Sequence, residues 1–185
     1  MDLLKIYGES WGGEAGEWNT SLENKYLEYM FARFFEENFT VEKTDSILNI
    51  GIGAGYWDRY LSYKVPKGRL TSIDIDREIC DCFTACLENE HNPNPITVIC
   101  GDAITYDFQQ KYDIITMVGS AAAESGVAAD IIKKAISLLK ENGALFLQVL
   151  HKEEGFDIKD FCSKKKGYTN KMFVDDSYGI HAEYL

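Results

Sequence analysis

From Asp45 onward the chain alternates between short runs of β-branched and other apolar residues and longer segments in which apolar residues recur every three or four positions. That alternation predicts βαβ units built around a parallel sheet. The apolar runs predict strands at Ser46 to Ile50, Arg69 to Asp74, Ile96 to Cys100, Asp113 to Val118 and Ala144 to Gln148. Between the second and third, the segment Arg77 to Asn89 places Ile79, Cys82, Phe83, Cys86 and Leu87 on one helical face and is stopped by Pro93 and Pro95. Between the last two, Val127 to Lys140 turns Ile131, Ile132, Ala135, Ile136 and Leu139 inward and ends in the helix-stop pattern Lys140-Glu141-Asn142-Gly143.

The two ends of the chain read differently. Thr20 followed by Glu23 is a capping-box pattern, and Leu22, Tyr26, Leu27, Met30, Phe31, Phe34 and Phe35 then form a wide apolar stripe through about Glu37. Before it, Tyr7 to Trp18 mixes four glycines with the aromatics Tyr7, Trp11 and Trp18; this is a lid candidate or an arm whose aromatics plug the core. After Leu150, Phe156 to Lys166 predicts a short amphipathic helix, and Tyr168 to Val174 and Gly179 to Leu185 predict an antiparallel hairpin turned by Asp175 to Tyr178. The expected organisation is a single domain over 1–185, with an N-terminal arm and helix at 1–44, a ligand-binding core at 45–150 and a C-terminal helix and β-hairpin at 151–185.

With 185 residues, 45% hydrophobic and 13% aromatic, the chain has the material for one well-buried core, which excludes global disorder. A net charge of -11 opposes sequence-independent binding to a phosphate backbone, so no nucleic-acid partner is expected. The longest apolar stretches, Ile114 to Val118 and Ala144 to Leu150, are too short to span a bilayer, and the start of the chain lacks the features of a secretory signal; a cytoplasmic protein with no membrane partner is the expectation. The odd set of five cysteines has no zinc-like spacing, and Cys80, Cys82 and Cys86 are expected as small apolar residues rather than metal ligands.

The most informative segment is Asn49-Ile50-Gly51-Ile52-Gly53-Ala54-Gly55-Tyr56, a strand that runs into a glycine turn and then a helix start. Glycines there let a ligand approach the backbone, and amides at the helix N-terminus can meet a negative group. A dinucleotide fold places its third glycine at the position of Tyr56; here that glycine comes one residue early at Gly55, which favours another adenosine-containing ligand. The second strand ends in Asp74, placed to accept from ribose hydroxyls, whereas Asp76 suits a helix cap. The third strand ends in Cys100-Gly101-Asp102-Ala103, a second carboxylate on the same edge, suited to an exocyclic adenine amine.

Together these segments resemble the class I S-adenosylmethionine-dependent methyltransferases, over about Asp45 to Leu150 and more loosely through the terminal hairpin. The resemblance implies an α/β fold, a Rossmann-like doubly wound sheet of about seven strands, mostly parallel with an antiparallel C-terminal strand and helices on both faces. It implies S-adenosyl-L-methionine as cofactor, with Asn49, Gly51, Gly53 and Gly55 under its amino-acid part, Asp74 on the ribose, Ile75 packing on adenine, and Asp102 with the amide of Ala103 contacting the adenine edge. The family usually carries Glu or Asp where this chain has Asn49. The residues Met117 to Glu124 lack the Asn/Asp-Pro-Pro-Tyr-like tetrapeptide of members that methylate base or glutamine nitrogens, and Val118-Gly119-Ser120 offers no acidic metal ligand of the kind catechol-type members carry near this strand end, so no catalytic metal is expected.

Methyl transfer from a sulfonium is an in-line displacement in which positioning does much of the work. Where the acceptor must lose a proton, His151 after the fifth strand is the first candidate base and Glu124 the second. Each has a plainer reading, an exposed loop histidine and a helix-cap acid. His181, inside a terminal strand, reads as structural. Tyr7, Trp11 and Trp18 form a candidate substrate lid, since aromatic faces attract cations. The expected activity is transfer of a methyl group to an O or N acceptor on a small molecule or short peptide. The competing readings are a non-catalytic module that binds S-adenosylmethionine or S-adenosylhomocysteine and regulates a partner, and a nicotinamide oxidoreductase.

Overall fold

The computed structural model describes residues 21–118, 127–150, 171–175 and 180–184. In chain order the elements are α1 (Leu22–Asn38), β1 (Ser46–Ile50), α2 (Tyr56–Lys64), β2 (Arg69–Asp74), α3 (Arg77–Glu90), β3 (Ile96–Cys100), β4 (Tyr112–Met117), α4 (Ala128–Leu138), β5 (Leu139–Leu150), β6 (Lys171–Asp175) and β7 (Ile180–Tyr184). The strands lie in the order β3-β2-β1-β4-β5-β7-β6. The first five are parallel neighbours, forming the Rossmann-like α/β sheet expected from the alternating pattern. In the described residues β7 pairs antiparallel with both β5 and β6.

The chain steps outward from β1 to β2 to β3, then returns to lay β4 on the other side of β1. Loops leaving the carboxyl ends of β1 and β4 therefore diverge, and the crevice between them is where open α/β sheets bind ligands. This places the glycine turn after β1 at the centre of the molecule's functional edge.

Period-2 alternation sends β1 residues to both faces. Ile47, with Leu70, Ile114 and Phe146 from neighbouring strands, packs under Leu27, Phe31, Phe35 and Phe39 of the α1 region and Leu61 of α2. Leu48 and Ile50, with Ile73, Ile115, Met117, Leu145 and Leu147, pack on Ile131, Ile132 and Ala135 of α4 on the opposite face. Phe83 and Cys80 of α3 cover Val98 and Cys100 of β3 together with Ile52 of the glycine turn.

Several expected boundaries shift for identifiable reasons. Ser21 is the N-cap of α1, its Oγ accepting from the amide of Asn24 at 3.1 Å, so the cap falls one residue after Thr20. Of the expected stripe on α1, Leu22 is 85% exposed and Tyr26 is exposed, whereas Leu27, Phe31 and Phe35 are buried. On α3, Cys80, Phe83 and Cys86 are the buried residues and Cys82 is only partly so, a rotation of the face toward the helix start. Burial, and then the neighbouring Cys100, pushes the Cys80 thiol up to about 12, so it packs as a neutral group.

The largest difference is at α4. The helix ends at Leu138, and Lys140 to Gly143, expected as its stop, lies within β5, which already pairs Leu139 with Tyr112. A register shift between Tyr112 and Ile114 absorbs the turn, with Asn142 at a φ of 63°. A side chain at Gly143 would stand 3.0–3.1 Å from the carbonyls of Lys140, Asp113 and Tyr112. The glycine that resembles a helix stop thus serves a strand irregularity.

Candidate functional site

Three loops meet at the carboxyl edge of β1, β2 and β3. The first, Gly51 to Gly55, has glycines at φ 87°, 50° and 69°, left-handed conformations that favour a residue without Cβ. Gly55 is the N-cap of α2, and a Cβ there would lie 2.2 Å from the Phe83 ring of α3. Gly55 thus lets the turn pack closely against α3. Around a Cβ at Gly53 nothing lies within 4 Å. The crest of the turn is open to a ligand, and the amides of Gly53 and Ala54 have no acceptor among the described residues.

The turn is held from both sides. Gly51 N donates to Ile73 O at 2.8 Å, Gly55 N to Ile52 O at 2.9 Å, and Arg59 Nη1 to Ala54 O at 3.1 Å while the same guanidinium pairs with Glu90 of α3 at 2.6 Å. Asp74 at the end of β2 has a structural role of its own. Its Oδ2 accepts from Ile52 N at 2.8 Å and its Oδ1 from Asp76 N at 2.9 Å, so the carboxylate ties the glycine turn to the following loop. Each oxygen keeps a further lone pair for a hydroxyl. Asp76 caps α3, accepting from Glu78 N at 2.7 Å and Ile79 N at 3.3 Å, the role its position indicates.

Between these two acids Ile75 is 74% exposed, an apolar face directed at solvent beside the turn. Across the edge, Asp102 closes its own turn through Ile104 N at 2.9 Å and Thr105 Oγ1 at 3.1 Å. The loop is joined to β2 by Gly101 N donating to Asp74 O at 2.8 Å. The Ala103 amide has no acceptor among the described residues, although its side chain is buried. The edge therefore offers an open glycine crest, two partly exposed carboxylates, an exposed apolar side chain between them and free amides. That set fits a ligand with a hydroxylated ring, an apolar planar base and an anionic end.

Asn49 is 1% exposed and lies beneath the turn rather than on its surface. It aligns across the sheet with Ser72 of β2 and Thr116 of β4, a row of three buried polar residues on the face covered by α2. Thr116 Oγ1 donates to Asn49 Oδ1 at 2.7 Å, and Asn49 Nδ2 donates to Gly51 O at 2.9 Å and to Asp58 Oδ1 at 2.8 Å. Ser72 Oγ also donates to Asp58 Oδ1, at 2.5 Å.

Asp58 is a part of the site that the sequence reading missed, because an acid in the first turn of a helix is ordinarily accounted for by the helix dipole. It is completely buried, and burial raises its carboxyl to about 6 against the opposing hydrogen bonds from Ser72 and Asn49. The native state therefore holds this proton more tightly than the unfolded chain. Stability contributed by the protonated form is lost as pH rises from about 4 to about 6, a cost of about 3 kcal/mol once the group is ionised.

His151, Glu124, Tyr7, Trp11 and Trp18 lie outside the described residues.

The family model described as a methyltransferase domain matches residues 47–143, more than half of the chain. This chain belongs to that family. The matched span begins in β1 and ends within β5, and so contains the whole of the edge described above. A malonyl-[acyl-carrier protein] O-methyltransferase of Priestia megaterium (strain DSM 319 / IMG 1521) is 24% identical over 95 residues, covering 51% of this chain and 31% of the relative. The chain thus spans about a third of the length of the curated relative it matches. Among solved structures, the N-methyltransferase NodS from Bradyrhizobium japonicum WM9 in complex with S-adenosyl-L-homocysteine aligns over 96% of this chain and 94% of its own at 13% identity, with a TM-score of 0.68. Coclaurine N-methyltransferase bound to N-methylheliamine and S-adenosylhomocysteine aligns over 80% of this chain and 44% of its own at 14% identity, with a TM-score of 0.59.

In this methyltransferase domain the two crest glycines are expected to respond differently to the same change. Gly55→Ala forces a Cβ against Phe83 in a left-handed conformation and is expected to cost about 2–4 kcal/mol. Gly53→Ala meets open space and is expected to cost only about 1 kcal/mol, the conformational share. Urea midpoints of the two variants check this, and equal losses would show that the Phe83 contact is not limiting.

Proposed function

We propose that this chain is an S-adenosyl-L-methionine-dependent methyltransferase acting on an O or N acceptor of a small molecule or short peptide. The observation that carries the reading is the convergence, within a methyltransferase-family span, of the glycine crest, Asp74 and Asp102 on adjacent parallel strands at the sheet's switch point. The pairing of β7 between β5 and β6 supports a complete seven-stranded sheet with one antiparallel strand, and one continuous sheet supports a single domain.

When bound, the cofactor supplies an electrophilic methyl group on a sulfonium. The chain's own residues hold it and the acceptor in line. Asp74 accepts from the ribose hydroxyls while its backbone bonds keep the glycine turn in place. Ile75 gives up its solvent exposure to the adenine face. Asp102 accepts from the adenine amine and the Ala103 amide donates to the ring. The crest amides of Gly53 and Ala54 serve the negatively charged end of the amino-acid part. Where the acceptor carries a proton, we assign its removal to His151, the residue that follows β5 in the sequence, with Glu124 second; Tyr7, Trp11 and Trp18 are assigned to the substrate cover.

Coclaurine N-methyltransferase, a fold neighbour solved with the small amine N-methylheliamine, supports this acceptor class. The test is turnover: incubation with S-adenosyl-L-methionine and panels of small amines, hydroxy acids and short peptides, with S-adenosylhomocysteine measured by mass spectrometry. Acceptor-dependent product formation is expected. Tight cofactor binding with no acceptor-dependent product on any panel would argue against catalysis.

A further inference from the structure

Asp58 is fully buried, yet its Oδ2 has no hydrogen-bond partner. A buried carboxylate with an unpaired oxygen lowers stability relative to a neutral residue of similar size, so packing alone does not account for it. What distinguishes it is the direction of the hydrogen bonds that reach it. Thr116 donates to Asn49, Asn49 donates to Gly51 O and to Asp58, and Ser72 donates to Asp58. A threonine hydroxyl accepts as readily as it donates, so Thr116 does not decide which way the Asn49 amide faces. The Gly51 carbonyl and an ionised carboxylate only accept, so both hold the amide nitrogen of Asn49 on their side, and of the two only the carboxylate changes with pH.

We propose that Asp58 is the positioning residue of the glycine turn: its carboxylate fixes the Asn49 amide in the orientation that anchors the Gly51 carbonyl, and so holds the Gly53 and Ala54 amides ready for the cofactor. The proposal rests on the cofactor reading above. Asp58 acts through Asn49 and does not touch the ligand. A proton on Asp58 adds a donor and leaves a weaker acceptor at Oδ1, and so weakens its hold on the amide side of Asn49. A flipped Asn49 would set its Oδ1 against the Gly51 carbonyl, so acid conditions loosen the turn. The groups that face Asp58 from β1 and β2, Asn49 and Ser72, are neutral, and the charged group acting on it is Arg59 of its own helix.

Calorimetric titration with S-adenosyl-L-methionine between pH 5 and pH 8 tests this on the wild type, Asp58→Asn, Asn49→Ala and the double variant. The wild-type affinity is expected to fall about tenfold from pH 8 to pH 5, whereas Asp58→Asn is about tenfold weaker at pH 8 and loses that pH dependence. Because the two residues act in series, the double variant should bind within about twofold of Asn49→Ala alone. Wild-type affinity and pH profile in Asp58→Asn, or losses that multiply in the double variant, would overturn the proposal. Circular dichroism checks the fold of each variant. If Asp58→Asn does not fold, the wild-type profile decides, and a dissociation constant unchanged from pH 5 to pH 8 overturns it. No binding by the wild type at any pH would overturn the cofactor reading itself and the proposal with it.

Discussion

Phe35→Ala is expected to destabilise the domain by about 3–5 kcal/mol, the largest loss from any single truncation on the α1 face. Phe35 has no solvent exposure and sits at the centre of an aromatic cluster. Its ring stacks on Phe39 at 4.7 Å between centroids and meets Trp57 at 5.4 Å and Phe146 at 5.3 Å edge-on. Three elements therefore share this contact: α1, α2 through Trp57, and β5 through Phe146. Truncation leaves a cavity whose walls are large rings that cannot easily close it. Leu22→Ala, on the same helix at an exposed position, should cost less than about 0.5 kcal/mol. Urea unfolding of both variants provides the comparison, and a Phe35→Ala loss below about 1.5 kcal/mol would mean that α1 contributes little to the core.

Asp74→Ala is expected to weaken S-adenosyl-L-methionine binding by roughly 30- to 150-fold, or about 2–3 kcal/mol. Two losses combine. The ribose hydroxyls lose a charged acceptor, and Ile52 N and Asp76 N lose the carboxylate that holds the glycine turn in register with β2. Asp74→Asn should fall between wild type and alanine, since its amide oxygen can still accept from Ile52 N while its amide nitrogen faces the donor Asp76 N. Isothermal titration of the three proteins measures the series. A dissociation constant for Asp74→Ala within threefold of wild type would remove Asp74 from the site.

The five parallel strands were legible because each contains a short apolar run, and the β1, β2 and β3 limits coincide with those runs, whereas β5 begins five residues before its run. The geometry of the candidate site was legible where strand ends carry particular residue types: glycines whose φ is positive after β1, and carboxylates at Asp74 and Asp102 at the ends of β2 and β3. Other features depend on tertiary contacts with no local signature. Gly143 looks like a helix stop because glycine suits both that and the close approach of three carbonyls, one from β5 and two from β4. Cys80 replaces Cys82 on the buried face of α3 because the position of β3, and not helical periodicity alone, decides which side is covered. Asp58 was not legible as part of the site because its partners Asn49 and Ser72 are 9 and 14 residues away and come together only when α2 lies over β1 and β2.

The carboxyl edge of β1, β2 and β3 is expected to bind S-adenosyl-L-methionine. Calorimetric titration of the folded wild-type protein with that cofactor, with S-adenosylhomocysteine and with NADH in parallel, tests it most directly. One site per chain with a micromolar dissociation constant for both sulfur compounds, and no heat with NADH, is the predicted result. A folded protein that binds neither sulfur compound, or that binds NADH instead, would contradict it.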